Sequence, residues 1–180
     1  MSEFSQSVHF WRANADQIRV WSAASSILIR FVASNSRWST ALTYEEEDAE
    51  ALARAAGDMA LLWTYNDDLS LDLKFYRRNH ELGSISFLWR GRSESSHASV
   101  PGAVVATLLE IGALSAAAHN EIADVARAVR VNEIRGRTVR DRVAALLDLP
   151  AFEWLSSATC LEQRIEDFRE DFPDAEDLFD

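Results

Sequence analysis

The residues with the widest chemical reach in this chain are one cysteine, Cys160, and four histidines, His9, His80, His97 and His119. Thr159-Cys160-Leu161-Glu162 reads as a helix capping box, and a thiol at a helix N-terminus loses its proton more readily. A lone cysteine among apolar neighbours is also a small packing residue, and packing is the role expected of Cys160. The histidines are scattered over a loop, a turn and a helix, without the spacing of metal ligands, and His80 reads as a turn residue. Glu110 is the single charge between residues 95 and 120. A carboxylate in an apolar helix is costly to bury alone, so it is expected to meet an arginine or to lie at the helix surface. Asp67, Asp68 and Asp72 make a loose carboxylate group that lacks the glycine and the ligand spacing of a calcium loop. An enzyme built here would have to gather His9, His80, Glu110 and Cys160 from separate elements.

Other chemistries find less support. Phosphate cradles need clustered glycines, and the six glycines at 57, 83, 91, 102, 112 and 136 stand apart. There is no nucleophile elbow, no His-Glu-x-x-His helix and no Cys-x-x-Cys pair, so neither a cofactor nor a metal is expected. Arg127, Arg130, Arg135, Arg137, Arg140 and Arg142 crowd into sixteen residues. Glu133 and Asp141 interrupt them, however, and no aromatic residue between His119 and Phe152 offers a base a stacking face. This arginine face is read as solvated, or as a dock for an acidic segment such as the chain's own tail.

The charge layout points the same way. The 180 residues carry a formal net charge of −11. Residues 161 to 180 hold nine acids against Arg164 and Arg169, and residues 44 to 58 hold six against Arg54, so these two stretches exceed the whole excess. Such a chain repels nucleic acid and anionic lipid and attracts basic proteins at raised rates. With 48% hydrophobic residues it has the composition of a globular protein, and at this length it can bury a core without disulfides. The opening Met-Ser-Glu-Phe-Ser-Gln-Ser has no basic and apolar leader pattern, and a reducing, cytoplasmic setting is expected.

The elements that would position these residues follow from periodicity. Residues 8–34 fit two patterns, alternation at Ile27, Ile29, Phe31 and Ala33 and a helical stripe of Ile18, Trp21, Leu28 and Phe31; strands at Ile18–Trp21 and Ile27–Val32 are favoured, with a short one near Val8–Arg12 and a turn at Ala33–Ser36. Thr43-Tyr44-Glu45-Glu46 reads as a capping box that opens a helix over 44–57. Leu69, Leu71, Leu73 and Phe75 alternate with polar residues, as do Ile85, Phe87 and Trp89, which predicts a hairpin turning at Arg77–Glu81, preceded by a strand at Leu61–Tyr65. Its polar face, with Asp72, Lys74 and Tyr76, is expected to meet solvent or a partner. A serine-rich loop at Arg92–Ser99 leads to Pro101, which opens a long apolar helix expected to be buried at the centre; its alanine content and Glu110 argue against a membrane span. Amphipathic helices follow at 121–135 and 138–149, and an acidic one carries Leu161, Ile165, Phe168 and Phe172 on one side. Residues 173–180 are expected to fray.

The fold class expected is therefore α+β, a single domain over 1–180. An antiparallel meander of about four or five strands with helices on one face occupies 1–100, and 101–172 is helical. The expected function is that of a small acidic protein-binding module, and in composition, though in no motif, it is similar to bacterial immunity proteins and other inhibitors that mask basic toxins or effectors. The expected charged rim is Glu45, Glu46, Glu47 and Asp48 with Glu166, Asp167, Glu170 and Asp171, and Asp72 and Tyr76 would meet the partner on the sheet face. The alternatives are an enzyme with a dispersed site and a homo-oligomeric adaptor joined by the 161–172 stripe.

Overall fold

The computed structural model describes residues 4–89, 96–153 and 155–178. One antiparallel sheet of eight strands runs through it, in the order β7-β6-β5-β4-β1-β3-β2-β8. The strands are β1 Phe4–Trp11, β2 Ile29–Ser34, β3 Trp38–Thr43, β4 Met59–Asn66, β5 Ser70–Arg77, β6 His80–Leu88, β7 His97–Ser99 and β8 Glu176–Leu178. The helices are α1 Ala15–Ser25, α2 Asp48–Ala55, α3 Gly102–Glu110, α4 Ala116–Arg130, α5 Arg137–Leu147, α6 Ser157–Glu162 and α7 Ile165–Phe168. The class is α+β as read, but the strand number of four or five falls short of eight. The meander covers β4 to β7 alone, because β1 inserts between β4 and β3.

Helices cover both faces rather than one. Strand positions Val8, Phe10, Ile29, Phe31, Ala41 and Leu62 pack with Ile18, Leu52 and Ala53 of α1 and α2. The opposite face, with Leu61, Trp63, Leu73, Phe75, Ile85 and Phe87, packs on α3, α4 and α5 through Val104, Leu108, Ile122, Val125 and Val143. A third cluster, Val32, Leu42, Leu155, Cys160 and Phe168, seats the 150–175 segment beside it. Both-sided burial explains why β1 and β3 read poorly as strands: all six residues of β3 are buried, so alternation is lost.

Residues 18–21 are helical. Asn14 Oδ1 accepts from Gln17 N and Gln17 Oε1 from Asn14 N, a capping box that opens α1 despite the β-branched residues within it. The Thr43 box, by contrast, does not form. Thr43 is paired with Ile29 in the sheet, Glu45–Glu47 make a turn, and α2 begins only at Asp48. The β5–β6 hairpin is tighter than Arg77–Glu81: Arg78 and Asn79 alone turn the chain, both with positive φ, as two-residue hairpins with the right twist require. Gly83 accompanies a shift of register opposite Phe75 and Tyr76.

The apolar helix after Pro101 is neither continuous nor central. It breaks between Glu110 and Ala116, and α3 buries Val104, Val105 and Leu108 but leaves Glu110 exposed. Among the described residues no helix is long and apolar enough to cross a membrane. The acidic helix is likewise two short pieces. Ser156, not Thr159, caps α6, and the chain extends at Gln163 and Arg164 before α7. The expected frayed tail is ordered as β8, which pairs with β2 through Ile29–Leu178, Arg30–Asp177 and Phe31–Glu176. Part of the serine-rich loop, residues 92–95, and the last two residues of the tail lie outside the described residues.

Candidate functional site

Arg30 organises one end of the molecule. It sits in β2 with its side chain 2% exposed, a buried cation that requires a counter-charge. Asp177 of β8 supplies it: Arg30 Nε donates to Oδ1 at 2.7 Å and Nη2 to Oδ2 at 3.3 Å. Nη1 donates to the Gln163 carbonyl at 2.9 Å and Nη2 to the Tyr44 hydroxyl at 3.3 Å. The Phe168 ring lies 5.1 Å from the guanidinium carbon. Burial pulls the arginine's pKa down, but the bonds to Asp177 carry it above its ordinary value. Tyr44 is pushed up to about 12 by burial and by its own bond to Asp177, to which it donates at 3.0 Å.

This network brings two acidic stretches together. Tyr44 directly precedes Glu45, Glu46 and Glu47, which are exposed, and Asp48, which is half-buried. Gln163 lies between Glu162 and the exposed Glu166, Asp167, Glu170 and Asp171. Both stretches attach to one guanidinium, although Tyr44 and Asp177 are 133 residues apart in the chain. Among the described residues, Asp177 and Glu176 of the tail form their ion pairs away from the arginine-rich helices. Asp177 pairs with Arg30 and Glu176 with Arg19, while Arg127 pairs with Asp124 and Arg140 with Asp141. Arg140 is in fact buried, its guanidinium over Tyr65 and Phe152. The apolar stripe folds onto its own body: Phe168 is buried and stacked on Phe172, and Leu161 is exposed instead of joining it.

The sheet-face residues part company. Asp72 is half-exposed and accepts from Ser70 Oγ at 2.7 Å. Tyr76 is fully buried beneath Arg54, whose guanidinium carbon lies 4.9 Å from its ring, so the ring is no exposed anchor. Tyr76 stays on the same face as Asp72 and Lys74, opposite Ala60 in register, but α2 covers that end of the face, and the ring packs in the cluster that holds Ala53, Ala60 and Leu62.

The candidates for catalysis lie apart. His9 is completely buried on β1, with Nε2 2.9 Å from Ser7 Oγ and Nδ1 2.8 Å from Thr40 Oγ1. Burial lowers its pKa to about 3, so the ring is neutral and fully bonded. Burial pushes the Cys160 thiol up to about 12, against the opposing pull of Arg30, which is the reverse of an activated nucleophile. His80 stands exposed at the start of β6, and Glu110 is exposed at the end of α3. Among the described residues no group of three or more His, Cys, Asp or Glu side chains is placed to hold a metal ion. Sequence reasoning missed Arg30; the signal was a lone charge within the apolar run Ile27-Leu28-Ile29-Arg30-Phe31-Val32.

Comparison of the chain with protein-family models, with curated proteins and with solved structures returns no match.

Proposed function

We propose that this protein is a cytoplasmic binding module that neutralises a basic protein partner, in the manner of an inhibitor or immunity protein. The observation that carries the reading is the convergence on Arg30. Two acidic stretches from distant parts of the chain flank one rigidly bonded centre, and their exposed carboxylates make a charged rim on an ordered scaffold. A rim of one sign raises the encounter rate with an oppositely charged partner, and a scaffold that is already ordered loses little entropy on binding. The dispersal of His9, His80, Glu110 and Cys160, and the burial of two of them, favours binding over catalysis. The net charge of −11 favours a basic protein over nucleic acid or an anionic membrane.

The test is affinity capture from cells with the intact protein, eluted across a salt gradient, beside a variant carrying Glu45→Gln, Glu46→Gln and Glu47→Gln. A basic protein retained in near-equal amount, released by salt and lost with the variant, is the expected result. Retention of the same partner by the variant, unchanged in salt dependence, would refute the role of this rim.

A further inference from the structure

We propose that the outer edge of β2 is a receptor for an extended strand bearing a carboxylate, that β8 fills it from within the chain, and that the 173–180 segment of a second copy can exchange into it. The inference is independent of the identity of any basic partner.

The argument begins with Arg30. A buried guanidinium whose counter-charge came from a neighbouring central strand would be a fixed part of the core. Here the counter-charge comes from β8, which is joined to the sheet by three residue pairs, Ile29–Leu178, Arg30–Asp177 and Phe31–Glu176. Without β8, Arg30 keeps the Gln163 carbonyl and the Tyr44 hydroxyl but has no anion among the described residues. A desolvated cation with neutral acceptors in place and its carboxylate missing is a specific demand. The unpaired edge of β2 adds a second demand, for backbone donors and acceptors in extended register. Only a strand that places a carboxylate opposite Arg30 satisfies both. The neighbouring positions set the rest of the specificity: Leu178 and Ala175 are buried on either side of the pair, and Glu176 meets Arg19 at 3.5 Å.

A strand held this way can be replaced by an identical one at no loss of contact, which is the condition for exchange between two copies. The segment that links β8 to α7 contains Pro173 and lies largely at the surface, with Pro173 and Asp174 exposed, so release of β8 does not require the core under α3, α4 and α5 to open.

The test uses the full chain. A fluorescent peptide of residues 173–180 is titrated, by anisotropy, into the unaltered protein and into full-length protein carrying Asp177→Asn, which weakens the internal strand. The peptide is expected to bind the variant at least tenfold more tightly than the unaltered protein. A peptide that itself carries Asp177→Asn is expected to lose at least tenfold on the variant. Equal affinity of the two peptides, or no binding to a variant whose circular dichroism matches that of the parent, overturns the proposal. Should the variant fail to fold, hydrogen exchange on the unaltered protein decides: β8 amides exchanging at least a hundredfold faster than those of β1 support a detachable strand, and equal protection overturns it.

Discussion

His9 Nδ1 lies 2.8 Å from Thr40 Oγ1 across the β1–β3 pairing, and the two residues stand directly opposite each other in register. With Ser7 on the other ring nitrogen, the imidazole has no hydrogen-bonding capacity left and no room for a charge. Its folded pKa of about 3 lies below the ordinary 6.5, so the unfolded chain binds the extra proton. Stability from this group is complete above about pH 6.5 and is lost as pH falls toward 3, with a slope of at most about 1.4 kcal/mol per pH unit. His9→Gln keeps polar atoms at both ends without the titration. Urea unfolding of this variant between pH 7 and 4 is expected to show a pH slope smaller by about one proton. An unchanged slope would mean that His9 does not titrate on unfolding.

Two buried tryptophans should respond differently to the same change. Trp38 Nε1 donates to the Leu147 carbonyl at 2.8 Å, whereas Trp63 Nε1 is buried without a partner among the described residues. Trp38→Phe breaks a bond and strands a carbonyl, and Trp63→Phe removes an unsatisfied donor. Chemical denaturation is expected to place Trp38→Phe about 1–3 kcal/mol below Trp63→Phe, although both side chains are fully buried. Equal losses would show that packing volume alone governs both sites.

Gly83 and Gly102 form a second contrast. Gly83 has φ +135°, and an added Cβ would meet Val104 Cγ2 at 2.7 Å, the point where α3 presses on β6. Gly83→Ala is expected to cost about 2–3 kcal/mol, or a fall in Tm of roughly 5–10 °C. Adding Val104→Ala relieves the clash but not the backbone, so recovery is partial. Gly102, in the first turn of α3, has nothing within 4 Å of such a Cβ, and Gly102→Ala is expected to leave Tm unchanged or raise it by a few degrees. Thermal melts followed by circular dichroism distinguish these outcomes.

Legibility in the sequence tracked one-sided burial. The β5–β6 hairpin was readable because Leu71, Leu73, Phe75, Ile85 and Phe87 face the core while Ser70, Asp72, Ser84 and Ser86 do not. Helices α4 and α5 were readable for the same reason. Ile18, Val20 and Trp21 misled, since β-branched and aromatic density favours a strand; the deciding signal was the Asn14 and Gln17 pair, which acts on the free amides of a helix start. Nothing local could announce β8. An acidic stretch after Pro173 has the composition of a solvated end, and its pairing partner lies far back in the chain. The acids at 45–47 and between 166 and 171 are exposed, as charge alone suggests, whereas the arginine between the two stretches was passed over because a single charge in an apolar strand looks like a surface position.

The distance between Arg30 and Asp177 along the chain, 147 residues, also sets an order of events in synthesis. At about 5–20 residues per second, β2 emerges roughly 7–30 s before its outer neighbour exists. During that interval the outer edge of β2 lacks the partner it has in the finished fold, and an unpaired edge is in general a template for pairing with other chains. A guanidinium in the middle of that edge opposes stacking of like upon like, because two copies pairing there would bring two cations together with no anion. The residue that pairs with Asp177 in the finished fold thus leaves a bare charge on the β2 edge for as long as Asp177 has not been made.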